Sequence, residues 1–206
     1  MENPWLKIPL EDYEGHMTAP GVQQLDALSD LFAEALEYCR PESVAVLGIA
    51  GGNGLERIDR TITKRVVGLD VNPSYLDAVR GRYSFINDLD LTCADLASQK
   101  IDLQALDLVH AALVFEHAGA GQCLENALSL VAAGGAFSAV LQLPTEAGQN
   151  VGASPFASMQ NLQPGFALID PEWLGRTLAE RGLRLARETR RTLPAGKAFW
   201  MGIFRR

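Results

Sequence analysis

Residues 44 to 54 read Val-Ala-Val-Leu-Gly-Ile-Ala-Gly-Gly-Asn-Gly, a continuous apolar run that leads directly into a glycine-rich turn. Such a run is typical of a strand buried on both faces of a parallel sheet. Glycines allow a sharp turn and leave no Cβ between the backbone and a ligand, while amides at a helix start favour polar or anionic groups. The stretch predicts a strand over 43–49, a ligand-binding turn and a helix over about 54–63.

The spacing of the glycines limits which class of ligand the turn can be expected to bind. A turn of this kind at the carboxyl end of a strand is suited to an adenosyl group. The dinucleotide fingerprint Gly-x-Gly-x-x-Gly is not met, because counting from Gly52 and Gly54 the third glycine position is Arg57. A nicotinamide cofactor is therefore not the first choice.

Strands alternate with helices along most of the chain. Asn72-Pro73 is a helix start, and Gly134-Gly135 separates a helix from a strand. The predicted strands cover 43–49, 65–69, 89–93, 106–113 and 136–143, and the predicted helices cover 18–40, 54–63, 73–82, 97–104 and 121–132. This alternation indicates right-handed crossovers and an α/β fold with a Rossmann-like, doubly wound, mostly parallel sheet.

The last part of the chain breaks the alternation. After a helix that Asp170 caps, two extended segments, 183–193 and 197–205, are separated only by Pro194-Ala195-Gly196. That connection is too short for a crossover helix, so the two segments must pair antiparallel. The predicted sheet therefore has seven strands and a C-terminal antiparallel hairpin.

The length of 206 residues and a hydrophobic content of 48% predict a single domain with one sizeable core. Within it we distinguish four parts. They are an N-terminal arm and helix (1–40), a cofactor-binding core (42–143), an irregular substrate-side segment (144–169), and the last helix with the hairpin (170–206).

Composition disfavours two classes of partner. The net charge is −7, divided into −14 through residue 175 and +7 from Arg176 onward. The acidic majority would repel phosphates, so no nucleic-acid partner is expected. The basic end is interpreted as a solvated surface, with a basic rim for an anionic substrate as the alternative. The most apolar run, 127–143, is split by its two glycines, so no membrane partner is expected either.

The three cysteines are widely spaced. Cys39, Cys93 and Cys123 fit no metal-ligand spacing, so no metal is predicted, and they indicate reduced thiols of a cytoplasmic protein. The sequence leaves the oligomeric state open.

Three further motifs follow the glycine turn in order. Val66–Asn72 places Asp70 at the end of the second strand, Cys93–Leu96 places Asp95 after the third, and Asp107–His117 covers the fourth strand with a Glu-His tail. Over about 42–143 this ordered set resembles the class I S-adenosylmethionine-dependent methyltransferases, and the terminal hairpin supports the resemblance. The resemblance implies S-adenosylmethionine as cofactor, S-adenosylhomocysteine as product, and a small-molecule methyl acceptor.

The resemblance also implies cofactor-binding residues. In the first motif they are Gly48, Ala50, Gly52 and Gly54, with Gly48 replacing the family's acidic residue and Ala50 its first glycine. The family usually uses that acid to bind the cofactor's ammonium group. Without it, backbone carbonyls, water or the acids Glu11, Asp12 and Glu14 are left for this contact.

The resemblance assigns the remaining contacts to residues near the ends of successive strands and in the N-terminal arm. Asp70, with Val71 beside it, would accept the ribose hydroxyls. Asp95, flanked by Ala94 and Leu96, would lie beside the adenine, although a helix cap is an alternative role. The methionine part would lie along Ala111, Ala112 and Leu113, and Tyr13 and Met17 of the N-terminal arm would cover the cofactor.

A general base is needed only where the acceptor loses a proton. The catalytic candidates are His16, Glu116 and His117, whereas His110 lies in a buried strand and is interpreted as a core histidine. No Asn-Pro-Pro-Tyr-like element follows the fourth strand, which disfavours methylation of nucleobase or amide nitrogens. Several apolar side chains of the two irregular segments are candidates for a roof over the acceptor: Trp5, Leu6, Tyr13, Phe156, Met159 and Phe166.

Two other functions remain open on the sequence. One is a non-catalytic adenosyl-binding or scaffold module, which the glycine at position 48 and the lack of a clear base make reasonable. The other, less favoured, is a nicotinamide-dependent oxidoreductase on a related fold.

Overall fold

A computed structural model describes residues 3–145, 154–194 and 196–206. Its centre is one seven-stranded sheet with the strand order β3-β2-β1-β4-β5-β7-β6. The strands are β1 Ser43–Leu47, β2 Arg65–Asp70, β3 Asp88–Cys93, β4 Leu106–Ala112, β5 Val131–Gln142, β6 Arg184–Thr192 and β7 Ala198–Arg205. The predicted doubly wound sheet of seven strands is confirmed.

The first five strands are parallel, and the last two form the antiparallel end. Leu47 at the end of β1 pairs with Leu69 of β2 on one side and with Ala111 of β4 on the other. β7 runs antiparallel to both β5 and β6. The predicted terminal hairpin is therefore confirmed, although residue 195 of its connection lies outside the described residues.

Helices cover both faces of the sheet. They are α1 Leu10–Thr18, α2 Leu25–Cys39, α3 Pro73–Arg82, α4 Phe115–Ala118, α5 Gly121–Ser129 and α6 Pro171–Glu180. Neighbouring strand residues face opposite sides, so Val44 packs with α2 and α3 while Ala45 packs with α5 and α6. Among the helices described, none is long and apolar enough to cross a lipid bilayer.

The predicted helix over 54–63 is wrong. After Gly54, whose φ is +93°, the chain makes only a short 3-10 helix, Leu55–Arg57. Asp59 then accepts hydrogen bonds from the backbone amide of Thr61 at 2.8 Å and from its hydroxyl at 2.6 Å. A local side-chain turn of this kind competes with a helix for the same backbone groups.

The predicted helix over 97–104 is also absent, and a turn follows β3 instead. Asn126 of α5 explains the difference, because its side chain satisfies this backbone directly. Its amide donates to the carbonyl oxygens of Leu96 at 3.1 Å and Gln99 at 2.7 Å, and its oxygen accepts from the amide of Ile101 at 3.0 Å.

Two predicted boundaries shift. The predicted helix over 18–40 is two helices, α1 and α2, because the chain turns at Pro20-Gly21. The predicted strand 136–143 begins earlier, at Val131, so Gly134-Gly135 lies within β5 rather than before it. The pairing register between β4 and β5 shifts there, and Gly134 takes a φ of +76° that suits an irregularity inside a strand.

Candidate active site

A cavity lies along the carboxyl edge of the parallel strands. The chain passes from β1 to β2 and β3 on one side and returns to β4 on the other, so β1 and β4 meet at the topological switch point where open α/β sheets bind ligands. The cavity follows this edge from the end of β3 to the start of β7. Its lining includes Gly48, Ala50, Asp70, Val71, Ala94, Asp95, Leu96, Ala112, Leu113, Val114, Gln142 and Lys197 from the sheet edge, and Trp5, Tyr13, His16, Met17, Gln24, His117, Met159, Leu162 and Phe166 from the segments above it.

Asp70 is a buried carboxylate at the end of β2, with 7% of its surface exposed. It accepts hydrogen bonds from the amide of Ala50 at 2.9 Å and from the amide of Asn72 at 2.9 Å. Burial raises the pKa of Asp70, and these amide hydrogen bonds oppose the rise. Two carboxylate oxygens offer about four acceptor positions, so Asp70 keeps acceptor capacity toward the cavity that it lines.

The turn after β1 has no room for a side chain at position 48. Gly48 has a φ of +64°, and a Cβ built on it would lie 2.6 Å from Cγ2 of Val114. Ala50 also takes a positive φ, of +46°. The glycine that replaces the family's acidic residue is therefore required by this backbone, and the cavity is lined by main chain without a side chain at this point.

Gly52 and Gly54, both predicted to contact the cofactor, do not line the cavity. A Cβ at Gly52 would lie 2.6 Å from the ring of Tyr83, and one at Gly54 would lie 2.9 Å from Phe32. These glycines allow neighbouring aromatic side chains to approach the turn. Ala111 is likewise fully buried in the core beneath the sheet edge, so Ala112 and Leu113 are the residues of the fourth motif that reach the cavity.

The N-terminal segment forms a roof over this edge. Tyr13 of α1 stacks on Tyr75 with ring centroids 6.3 Å apart and meets Trp5 edge-on at 5.7 Å. Burial, with the charge of nearby Asp70, raises the pKa of Tyr13 above its usual range. Tyr75 donates to the carbonyl of Ile8 at 2.9 Å and Asn72 donates to the carbonyl of Trp5 at 3.0 Å, which fastens the roof to the start of α3.

A second segment, the 3-10 helix Ala157–Gly165, packs beside α1 and completes the roof. Ser158 donates to Asp12 at 2.6 Å, and the ring of Phe156 lies against Gly15, where a Cβ would come within 2.5 Å of it. Ile8, Met159 and Leu162 form a small apolar cluster between the two segments. Part of the predicted irregular segment is thus ordered 3-10 helix, while residues 146–153 lie outside the described residues.

The three N-terminal acids do not line the cavity. Glu14 forms an ion pair with Arg82, with one oxygen 3.0 Å from Nη2, and Asp12 accepts from Ser158. Glu11 lines a separate surface depression together with Leu6. Among the described residues this leaves the backbone of the glycine turn as the candidate for the ammonium group, and it removes Leu6 from the predicted roof.

Asp95 lies at the end of the cavity formed by β3, and its predicted role as a helix cap is wrong because the described chain makes a turn after it and no helix. Its oxygens accept from the amide of Ala97 and from the hydroxyl of Ser98, both at 3.0 Å. Asp95 also lines the cavity, with Ala94 and Leu96 on either side of it in sequence. The local turn that Asp95 stabilises is compatible with a ligand contact at the same residue.

The three catalytic candidates differ in whether they line the cavity. His117 lines the cavity, with its ring 5.0 Å from that of Trp5 and 5.2 Å from that of Phe166, and burial lowers its pKa to about 4. Glu116 points away into the core, where Oε1 accepts from the amide of Gln142 at 2.8 Å and burial raises its pKa to about 7. Glu116 is not among the residues that line the cavity, so its placement does not support the predicted catalytic role.

His16 lines the cavity and is 4% exposed, and its Nδ1 is buried without a hydrogen-bond partner among the described residues. Burial and the nearby charge of Lys197 lower the pKa of His16, which favours the neutral ring. His110, in contrast, lies in the core against Phe32, with Nδ1 3.1 Å from the hydroxyl of Ser138. This placement agrees with its interpretation as a core histidine.

Sequence reasoning missed three buried polar residues of the cavity: Gln24, Gln142 and Lys197. Gln142 ends β5, and Lys197 precedes β7, which runs antiparallel to β5. A polar residue at the end of one apolar strand and another at the start of its antiparallel neighbour must share a sheet edge. The predicted hairpin therefore contained the signal that places both beside the site.

Comparison with known proteins agrees with this geometry. A family model described as "Methyltransferase domain" matches residues 45–139, which cover most of β1 to β5. No curated protein sequence matches the chain.

Several solved structures share the fold. The N-methyltransferase NodS from Bradyrhizobium japonicum WM9, in complex with S-adenosyl-L-homocysteine, has a TM-score of 0.73 at 15% identity over 99% of this chain and 98% of that one. Magnesium protoporphyrin IX methyltransferase (ChlM) from Synechocystis PCC 6803 has a TM-score of 0.64 at 16% identity, covering 89% and 82%. The [4+2]-cyclase SpnF has a TM-score of 0.66 at 16% identity, covering 89% and 81%. Residues 45–139 thus match a methyltransferase domain, and the chain shares its fold with methyltransferases that were solved with S-adenosyl-L-homocysteine.

Proposed function

We propose that this protein binds S-adenosylmethionine in the cavity and transfers its methyl group to a small molecule. The observation that carries the proposal is Asp70, a buried carboxylate that lines the cavity at the end of β2 beside the switch point. The NodS and ChlM structures, which share the fold, were solved with S-adenosylhomocysteine. The residues of this cavity fit such a ligand in charge and in shape.

Each part of the cofactor has a matching group on the chain. Asp70 accepts the ribose hydroxyls, and Ala94, Asp95 and Leu96 surround the adenine. The bare backbone around Gly48 takes the amino-acid end, because no Cβ stands between it and the ligand. Tyr13 and Met17 cover the cofactor from α1, and Ala112 and Leu113 line the methionine part.

When bound, S-adenosylmethionine supplies an electrophilic methyl group on a positively charged sulfonium. The chain's own contribution is to position the acceptor in line with that group and to exclude water. Trp5, His117 and Phe166 supply an aromatic wall for the acceptor, and the roof closes the cavity over it. His16 is the residue that accepts a proton from the acceptor where one must leave, because its ring is neutral and lines the cavity and its Nδ1 has no hydrogen-bond partner among the described residues.

The proposal is tested by product formation. The protein is incubated with S-adenosylmethionine and a panel of aromatic amines, phenols and carboxylates, and S-adenosylhomocysteine and methylated product are measured by mass spectrometry. Equal amounts of the two products with at least one acceptor support methyl transfer. For an acceptor that loses a proton, His16→Gln lowers kcat on the order of 100-fold or more, while cofactor affinity is kept.

A second function has one observation in its favour. This cavity has no carboxylate at Gly48 for the ammonium group, and the fold also occurs in a protein named as a [4+2]-cyclase. A chain that bound S-adenosylmethionine without forming S-adenosylhomocysteine from any acceptor of the panel would be an adenosyl-binding module rather than a methyltransferase.

A further inference from the structure

A β-bulge places two arginines of β6 on the same face of the sheet. Arg184 pairs across the strands with Arg205 of β7, whereas Arg187 pairs with Ile203, so three steps along β6 match two along β7. Successive strand residues point to opposite faces, so residues three positions apart lie on opposite faces of a regular strand. The extra residue of the bulge turns Arg187 to the face of Arg184 and Arg205. We call these three residues the arginine cluster.

Two members of the arginine cluster contact the same aromatic ring. The guanidinium carbons of Arg187 and Arg205 lie 5.6 Å and 5.4 Å from the ring centroid of Tyr38, which is 38% exposed near the end of α2. A guanidinium over a ring uses its flat face for the contact and keeps N–H donors at its edges for an oxyanion. The ring therefore positions two cationic donors next to each other at the surface.

The arginine cluster carries more positive charge than its neighbours balance. Of its members, Arg187 contacts a carboxylate, with Nη2 3.9 Å from Oε2 of Glu34. Arg184 and Arg205 form no ion pair within the described residues. Their direct pairing sets like charges opposite each other, which destabilises a sheet. An anion bound between them removes that repulsion.

The arginine cluster lies far from the cavity. Gln142, which lines the cavity, pairs with Phe199 of β7, whereas Arg205 pairs with Ala136, farther back along β5. Six residues of β7 separate Phe199 from Arg205, which corresponds to about 20 Å along an extended strand. A ligand of the cluster therefore occupies a second site, and its binding does not depend on the proposed function.

We propose that the arginine cluster binds the phosphate group of a small, soluble phosphate monoester. Guanidinium groups match phosphate oxygens with paired N–H donors, and a phosphate monoester is close to a dianion at neutral pH. Three guanidiniums beside the one carboxylate of Glu34 leave an excess of two positive charges, which such a dianion balances. The net charge of −7 on the whole chain favours a compact anion over a long polyanion.

The experiment measures the affinity of the whole chain for phenyl phosphate at pH 8 and low salt, by calorimetry or ligand-observed NMR. Phenyl sulfate is the comparison, because it has a similar shape and one negative charge fewer. We expect phenyl phosphate to bind about 10-fold more tightly than phenyl sulfate, and inorganic phosphate to displace it. The inference is overturned if phenyl phosphate does not bind, if it binds no better than phenyl sulfate, or if inorganic phosphate does not compete.

Two single substitutions locate the binding. Arg184→Met and Arg205→Met each remove one guanidinium and keep an apolar stem, and each is expected to lower the affinity for phenyl phosphate about 10-fold. Arg190→Met is the matched control, because Arg190 lies on the same strand but pairs with Trp200, which packs on the opposite face of the sheet from Ile203. Equal affinities in the three variants, each shown by circular dichroism to be folded, would overturn the assignment.

Two competitors test the separation of the site and the size of its ligand. Saturating S-adenosylhomocysteine is expected to leave the affinity for phenyl phosphate unchanged, whereas displacement would put phenyl phosphate in the cavity and overturn the inference. A short oligothymidylate is expected to bind no more tightly than phenyl phosphate. Tighter binding of the oligothymidylate that is lost in Arg184→Met would identify a surface for polyanions and would equally overturn the inference.

Discussion

Val114 occupies the space that a side chain at Gly48 would need. A Cβ on Gly48 would lie 2.6 Å from Cγ2 of Val114, and the φ of +64° at Gly48 is itself unfavourable for any residue with a Cβ. The missing acid of the first motif is therefore part of a different local packing, in which Val114, just before α4, covers the turn after β1. At this position the cavity therefore presents backbone groups.

We predict that Gly48→Ala destabilises the protein and weakens cofactor binding. The positive φ alone costs roughly 1–2 kcal/mol in the free energy of unfolding, and the contact with Val114 adds to it. Gly48→Ala/Val114→Ala relieves the contact but not the backbone strain, so it recovers only part of the cofactor affinity. Urea unfolding and calorimetry with S-adenosylhomocysteine measure both effects.

The matched control is Gly175→Ala in α6, where a Cβ has open space and the backbone is helical. This change is expected to be neutral or to stabilise by up to about 1 kcal/mol. If Gly48→Ala is as harmless as Gly175→Ala, the described conformation of the turn is incorrect.

We predict that Glu116 makes stability depend on pH. Burial raises its pKa from 4.5 to about 7, so the folded state binds the proton more tightly than the unfolded state. The resulting stability is fully present below about pH 4.5 and is lost as the pH rises through 7. Relative to the unmodified protein, Glu116→Gln should therefore gain about 2 kcal/mol between pH 5.5 and pH 8.

Urea unfolding at pH 5.5 and pH 8 measures this gain. Glu37→Gln, a change of the same kind at an exposed position of α2, should alter stability equally and little at both pH values. A Glu116→Gln effect that is the same at pH 5.5 and pH 8 would rule out a buried carboxyl with a raised pKa.

The ion pair between Arg82 and Glu14 fastens α1 to α3, and Arg82 also donates to the carbonyl of Gly51 at 3.2 Å. We predict that Arg82→Met loosens the roof and makes S-adenosylhomocysteine dissociate about 3- to 5-fold faster. Global stability should fall little, because partly exposed ion pairs contribute less than about 1 kcal/mol to the free energy of unfolding. Stopped-flow fluorescence gives the rate, with Trp5 of the roof as the reporter.

Arg80→Met is the control for this prediction. Arg80 lies on the same helix and pairs with Asp77 at 2.6 Å, but it does not contact the roof. Equal dissociation rates in Arg82→Met and Arg80→Met would show that the ion pair has no part in closing the cavity.

The sequence predicted the sheet well because its signals are local and repeated. Each buried strand is a short apolar run, and the three-residue connection 194–196 allows no topology other than a hairpin. The predicted helix over 54–63 was wrong for a local reason. The predicted helix over 97–104 was wrong for a non-local reason. Asn126 satisfies the backbone after β3 from 25 to 30 residues away, and Asp59 forms its own turn.

The site residues that belong to sequence motifs could be predicted, whereas side-chain orientations that depend on tertiary packing could not. Asp70 and Asp95 follow strands of one parallel sheet, so their shared edge could be inferred from order alone. That Glu116 turns inward to the amide of Gln142, while its neighbour His117 faces the cavity, depends on the short helix α4 and on the roof. The positions of Gly52 and Gly54 against aromatic rings depend in the same way on tertiary packing.

The central claim is that Asp70 binds the ribose of S-adenosylmethionine, and calorimetric titration with S-adenosylhomocysteine tests it most directly. Asp70→Ala is compared with Asp88→Ala, which removes an exposed carboxylate at the opposite end of β3, after circular dichroism has shown that both variants are folded. We predict that Asp70→Ala weakens binding on the order of 100-fold, the loss of two charge-assisted hydrogen bonds, and that Asp88→Ala leaves it unchanged. Equal affinity in the two variants would contradict the account.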